Sequence, residues 1–497
     1  MRITLFIFLS LFAVSSNFPQ NYFSHNSKDA LLFSQLGRIS DARALGMGNA
    51  NSVLSDNYTA TIMNPATLGL SRRITVGTSV GANLFRNNAT FLENETYSNK
   101  TGTLLNQFGL VFPLASDSAE HNVVLSIGYN QANNFNNILK FSAFNPSSNN
   151  LVSDLTSYNN TLTKRLLLSY PKIDPATNEY LGETTILNGN LKQDGYVVNE
   201  GSLNLWSIGF AYEFAHNIFF GLSANYLIGS YTSDREFSET DSADFYTSAV
   251  RTVPTNSLTA GFEEFYINDI VNRIYNGVDF RFGVLYKFYN FISIGASVKT
   301  PSIVSVDDEH FFKGRSSFST GNVVTVDSAF MSKFTIQSPY EITVAASVNL
   351  FILTGSAEIT YIDYTQMRFS DGLDVPTRSA INKGIIDDYS PIFNLKAGAE
   401  FRLPFTGLSA RAGAMYLPSP LKDDPTEYDR KFVTAGLGIN SGDGSMEFNV
   451  SYVLGFWDET SGEYGPNIPP ITRTVRSDNI VGSLVLRFWY SFTFSRC

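Results

Sequence analysis

The sequence predicts an all-β protein, a transmembrane antiparallel β-barrel of about 14 strands, with an N-terminal segment that is a candidate plug for its lumen. Three observations predict it. Stretch after stretch alternates large apolar residues with small or polar ones. The connections between these stretches alternate short and long. The composition suits neither an ordinary soluble protein nor a helical membrane protein: of 497 residues only 16% are charged and 14% are aromatic, with 41 Phe and 25 Tyr, and mean hydropathy is -0.04.

The chain opens on an address. Met1-Arg2 is followed by an apolar run, Ile3 to Val14, broken only by Thr4 and Ser10. Ala13 and Ser15 stand at -3 and -1 of a cut after Ser15, so residues 1–15 read as a cleaved secretory signal peptide. At about 12 residues the run falls short of the roughly 20 a spanning helix needs; the other reading is a short N-terminal anchor. No Cys follows the run, which excludes a lipoprotein anchor. No later apolar stretch is long enough to span as a helix, so any crossing must be made by strands.

Residues 16–71 do not alternate. Leu31-Leu32-Phe33 with Leu36 reads as a short helix or packed turn. Small residues at Gly46 and Gly48 allow close backbone approach. Asn64 before Pro65 and Ala66 marks a turn. Gly46-x-Gly48 has neither a third Gly nor a βαβ context, so no nucleotide loop is read there.

Residues 72–497 carry the strands. Trp206, Ile208, Phe210, Tyr212 and Phe214 alternate with Ser207, Gly209, Ala211 and Glu213. The same period recurs at 220–229, 278–288, 446–456 and 480–494. A β-sandwich also alternates, but its solvent face is rich in Lys and Glu. Here the polar face is Gly, Ser, Thr and Asn, and aromatics crowd the strand ends as in interfacial girdles. Long loops are expected at 87–102, 134–200, 233–275, 301–332, 370–389 and 458–473, with short turns between them on the opposite side. The Asn-rich segment 134–200 reads either as a cover over the entrance or as a plain polar loop. Both termini fall on the short-turn side. About 8 strands already give a filled interior, so fourteen need a plug or leave a channel.

No enzyme constellation emerges. One Cys forms no internal disulfide, and His25, His121, His216 and His310 are scattered. There is no Gly-x-Ser-x-Gly elbow and no His-Glu-x-x-His, so neither metal nor cofactor is expected. A net charge of -10 argues against nucleic acid.

Ala42-Arg43-Ala44-Leu45-Gly46-Met47-Gly48, followed by Asn64-Pro65-Ala66, resembles the N-terminal hatch signature of the FadL/TodX outer-membrane transporters. Phe108 to Leu114, Gly128-Tyr129-Asn130 and Asn133 to Asn136 are similar to the second and third strands of Bacteroidota-type members. Further similar pieces are Ile294 to Pro301, Ala357-Glu358 with Tyr361 to Tyr364, and Arg411-Ala412-Gly413 with Pro418-Ser419-Pro420. Each piece is short; their order along most of the mature chain is the specific part.

The resemblance implies a hatch at residues 16–71 and uptake of hydrophobic small molecules such as fatty acids, hydrocarbons or detergent-like compounds. Extracellular loops capture the ligand, a lumenal pocket binds it, and a kinked third strand releases it sideways into the bilayer. Gly46, Gly48, Asn64, Pro65 and Ala66 then belong to the hatch and ligand path. Gly128, Asn130, Asn133, Asn134 and Phe135 are the lateral-gate candidates. Arg281, Lys287, Lys299, Arg411 and Arg487 fall on the polar face, either to meet a ligand carboxylate or to pair with lumenal acids such as Glu341, Glu358 and Glu447. The implied partners are the outer-membrane bilayer, the hydrophobic ligand and the barrel-assembly machinery, with the chain acting as a monomer. Two other roles stay open at this point: a structural component of type IX secretion (PorV- or PorQ-like), and a polar porin. The chain departs from the usual aromatic C-terminus, since Ser495-Arg496-Cys497 follow Phe494.

Overall fold

The computed structural model describes residues 27–35, 40–114, 122–148, 150–157, 161–289, 291–461 and 468–489. The signal peptide, the turn expected at 115–120, His25, His121 and the C-terminal Ser495–Cys497 lie outside these residues.

Three short helices come first, α1 (Ser27–Ser34), α2 (Ala42–Gly46) and α3 (Thr59–Met63), then a 3-10 turn at Pro65–Leu70. The wall opens with β1 (Ile74–Phe91), β2 (Asn94–Pro113), β3 (Val123–Asn134) and β4 (Asn137–Asn145). Helices α4 (Leu151–Ser157) and α5 (Thr161–Arg165) follow, with a hairpin of β5 (Tyr170–Ile173) and β6 (Tyr180–Thr184). The wall resumes with β7 (Leu191–Ala215), β8 (Ile218–Thr240), β9 (Phe262–Phe288), β10 (Ile292–Lys299), β11 (Ile303–Phe318), β12 (Val323–Gln337), β13 (Glu341–Leu350), β14 (Leu353–Asp363) and β15 (Arg368–Asp371). After α6 (Val375–Asp388) it is completed by β16 (Pro391–Arg402), β17 (Leu408–Leu417), β18 (Arg430–Asn440), β19 (Met446–Ser461) and β20 (Ile471–Phe488).

The ring runs β1-β2-β3-β7-β8-β9-β10-β13-β14-β16-β17-β18-β19-β20 and closes where β20 pairs with β1, from Ile74↔Phe488 to Thr90↔Thr472. That is the fourteen-strand antiparallel barrel expected from the sequence. Closure gives every wall strand a partner on each side, so no strand runs its whole length as a free edge, which hydrocarbon would not tolerate.

The two faces are inverted relative to a water-soluble protein. Ile208, Phe214, Phe282 and Phe448 are exposed on the outside, while Ser207, Ser223, Asp279, Arg411 and Asn449 are buried inside. Such an outer belt fits hydrocarbon rather than water. Among the described residues no helix is long and apolar enough to cross a membrane.

Several expected loops are strands. The segment 87–102 continues the β1–β2 ladder out to Phe91↔Asn94. Likewise β8 and β9 stay paired to Thr240↔Glu264, and 301–332 is mostly the β11–β12 hairpin. Beyond the lipid the outer face of a strand meets water and the inner face packs under the cap, with Ala89, Phe91, Phe237 and Phe265 buried there, so the lipid-facing period disappears while the backbone ladder runs on.

Segment 134–200 is largely folded rather than a plain polar loop. Leu151, Val152, Leu155, Leu162 and Leu166 from α4, α5 and the turn after it join an apolar cluster with Phe141, Phe237, Phe265 and Phe318. Glu239 lies inside this cap, fully buried, and accepts from Leu151 N (2.6 Å), Val152 N (3.2 Å) and Gln193 Nε2 (2.8 Å). Burial pushes its carboxyl up from 4.5 to about 7 against those donors. Between these values the folded cap keeps a proton that the unfolded chain has released. This stabilisation is complete below 4.5 and is lost as pH rises through about 7. Proteolysis of the cap segment is therefore expected to accelerate as pH rises through about 7, and Glu239→Gln to flatten that profile. A pH-independent cleavage rate in the native chain would contradict this.

Candidate functional site

The site is built where the hatch meets the wall. Asp41 caps α2 by accepting from Ala44 N (2.8 Å), and its second oxygen accepts from Asn57 Nδ2 and Thr59 Oγ1 (2.8 Å each). One buried carboxylate thus ties two turns of the hatch together. The small residues seen in the sequence are seating surfaces. Gly48, at φ 62, lies so close to the wall that a Cβ would stand 2.4 Å from Ala397 O and 2.7 Å from Ala414 N. Gly413 and Gly398 return the notch: their own Cβ atoms would meet Gly48 N at 2.2 Å and Met47 O at 2.1 Å. Thr434 Oγ1 accepts from Gly48 N (3.0 Å) and donates to Gly46 O (3.1 Å). Asn64 caps the 3-10 turn through Ala66 N (3.1 Å) and donates to Val284 O (3.2 Å). Pro65 and Ala66 press their backbone onto Gly221. All five hatch residues therefore touch or cap at the hatch–wall seam.

The gate candidates share one stretch of wall. β3 pairs with β2 only from Pro113↔Val124 to Gln107↔Asn130, whereas β2 stays paired with β1 as far as Phe91↔Asn94. Past Asn130, β3 keeps only β7, with a register shift between Gln131 and Asn133. Phe135 N still reaches Gly201 O (3.0 Å), and β4 then continues along β7 from Asn137↔Asn199. β4 leans inward: Asn87 on the inner face of β1 donates to Ile138 O (2.9 Å). Above Gln107 and Asn130 the β2–β3 backbone ladder is therefore absent, and only side chains bridge the seam: Lys100 of β2 reaches Asn199 O (3.2 Å) and Glu200 (2.6 Å), and Ser98 donates to Ile138 O (3.4 Å). Phe135 packs on Tyr231 and Tyr275, and Asn133 donates to Gln35 O (3.1 Å). Gly128 lies below the open stretch and, with Gly109, makes room for the buried ring of Tyr58 in the hatch.

Two zones fill the lumen. The outer zone is apolar, with Phe135, Leu203, Leu227, Tyr275, Val304 and Phe334 among its members. α1 occupies it, with Phe33 against Tyr275 (4.8 Å) and Asp29 on Arg273 (2.7 Å). Below it lies a cavity of about 140 Å³ lined by Asp279, Arg281, Lys299, Glu341, Glu358 and Lys396, among others. On the short-turn side a third space, of about 550 Å³, is lined by Arg43, Arg411, Arg487, Glu400 and Glu447, among others.

Of the cations expected on the polar face, Arg281, Lys299, Arg411 and Arg487 sit on carboxylates. Lys299 and Arg281 share Glu341 (3.3 and 3.7 Å), and Arg487 takes Glu447 (2.9 Å) and the hatch's Asp56 (3.2 Å). Arg411 lies 2.6 Å from Glu400 and 3.8 Å from Glu447. Glu400 also holds Arg402 (2.7 Å) and the hatch's Arg43 (3.1 Å). Sequence reasoning missed Glu400, Asp41 and Asp279, because an acid on a polar face carries no mark of its partners. Lys287 stands apart, near Arg72 and Glu213. Among the described residues no group of three or more His, Cys, Asp or Glu is placed to hold a metal.

No family model matches the chain, and no curated protein does. Solved structures do. The toluene transporter TodX of Pseudomonas putida aligns with a TM-score of 0.54 at 14% identity, over 91% of this chain and 99% of that one. A FadL homologue of Pseudomonas aeruginosa aligns at 0.52 and 11% identity, over 90% and 98%. The chain therefore has the FadL/TodX fold: a fourteen-strand barrel closed around an N-terminal hatch.

Proposed function

We propose that this protein takes up hydrophobic small molecules across a bacterial outer membrane. Exported by its cleaved signal peptide and folded into the bilayer by the barrel-assembly machinery, it works as a monomer. A ligand caught at the extracellular cap enters the outer apolar zone, passes the cavity above the hatch, and leaves through the β2–β3 seam. No enzymatic step is involved.

One observation carries this reading: the lumenal cavity is lined by Asn130, the last residue of β3 paired with β2, and by Ala132 just past it, where β2 is lost. A greasy solute there has a path into the surrounding hydrocarbon without crossing the hatch or entering water. The transporter named in the structural comparison, TodX, carries toluene. In a strain lacking the gene, uptake of a panel of labelled long-chain and aromatic compounds is expected to fall for at least one class. The wild-type gene is expected to restore it, and a Pro65→Leu variant is not. Undiminished uptake of every compound would refute the reading. Recovery of the barrel in a stable complex with secretion proteins would favour the type IX role instead.

A further inference from the structure

We propose that the lumenal cavity selects amphiphiles whose head is uncharged and donates hydrogen bonds, such as a long-chain alcohol or a monoacylglycerol, over free carboxylates and bare hydrocarbons. This rests on the uptake reading and names its substrate class.

The charges of the cavity cancel among themselves. Asp279, Glu341 and Glu358 face Arg281, Lys299 and Lys396. Each cation is already held: Lys299 and Arg281 by Glu341, and Lys396 by Glu358 at 2.7 Å. Asp279 accepts from Asn225 Nδ2 and Ser302 Oγ, both at 2.7 Å. A ligand carboxylate would add one uncompensated negative charge to a neutral ring removed from water, where unpaired charge is most costly.

What the ring leaves open is hydrogen bonding. The side-chain oxygens of Asn130, Asn225 and Asn394 and the Nε of Arg281 have no partner, and Asn130, Asn225 and Arg281 are 2%, 5% and 8% exposed. Asn225 has its amide nitrogen committed to Asp279, so its oxygen is the end left over. Three acceptors and one donor around one small cavity ask for a group that both donates and accepts, which a hydroxyl does and a carboxylate does not. A hydrocarbon would desolvate all four and satisfy none. The cavity is too small for a long chain. However, Ala132, Leu205, Ile362 and Tyr364 belong both to its lining and to the apolar zone above. A head below and a tail above would match the two zones, with the tail taking the place that Phe33 of α1 fills in this structure.

The test uses the full chain in nanodiscs carrying tritiated 1-monolauroylglycerol, competed by four compounds of one chain length: monolauroylglycerol, dodecanol, laurate and dodecane. The first two are expected to compete at concentrations about tenfold below the last two. Asn225→Leu and Asn130→Leu, checked for a folded barrel by heat-modifiable mobility, are each expected to shrink that gap to about threefold or less while leaving dodecane binding intact. Laurate or dodecane competing as well as dodecanol would overturn the proposal while leaving uptake standing. Absence of binding by all four would overturn both.

Discussion

Gly48→Val is expected to open the barrel. The residue sits at φ 62, where a β-branched side chain is strained, and its Cβ would overlap Ala397 O and Ala414 N. Both obstacles are backbone of paired strands, so the wall cannot yield; the hatch must. The same shift breaks the contacts of Thr434 with Gly46 O and Gly48 N and drags Arg43 from Glu400. Planar-bilayer recordings should show little steady current for the wild type and a sustained current for the variant, with the barrel still resisting detergent unfolding. Gly482→Ala is the control, since a Cβ there meets nothing within 4 Å. A Gly48→Val barrel as quiet as the wild type would show that the hatch is not seated as described.

Glu400→Ala is expected to be the most destabilising single change in the lumen. Its carboxylate is shared by Arg43, Arg402 and Arg411, and the Arg411 side chain is 1% exposed. Removing it leaves two buried guanidiniums short of countercharge, a loss on the order of 3–5 kcal/mol for breaking a buried pair. Because one of the three cations belongs to the hatch, the variant should also conduct. Lys333→Ala, which breaks a pair with Asp307 that is exposed on both sides, should change stability little. Urea midpoints followed by heat-modifiable mobility measure both. Equal midpoints for the two variants would contradict this ranking.

Legibility in the sequence follows the solvent. Between Trp206 and Phe214 lipid on one side and a polar lumen on the other force a strict alternation, so β7 is readable there. At Asn87–Gly102 the outer face meets water instead of lipid, only Ala89 and Phe91 join the buried apolar cluster on the inner side, and the strand tips pass for a loop. The hatch glycines are visible as small residues, but the notches that receive them, at Gly398 and Gly413, lie far along the chain and announce nothing alone. Leu31-Leu32-Phe33 reads as a short helix; that it lies in the apolar zone beside Tyr275 depends on tertiary packing. The Asn cluster at 130–136 is visible as an interruption. Its consequence, the loss of β2 as a partner, needs three strands to be seen together.

The central claim is that ligand leaves sideways through the β2–β3 seam, and sealing that seam tests it most directly. Extending the ladder one step past Gln107↔Asn130 would set Asn106 opposite Gln131. In a Cys497→Ser background, Asn106→Cys with Gln131→Cys offers a disulfide that can close the gap when strand geometry brings the two together. With formation confirmed by mass, labelled-ligand uptake by cells is predicted to fall at least about tenfold when the pair is oxidised and to recover on reduction. Undiminished uptake through a fully oxidised seam would contradict the account.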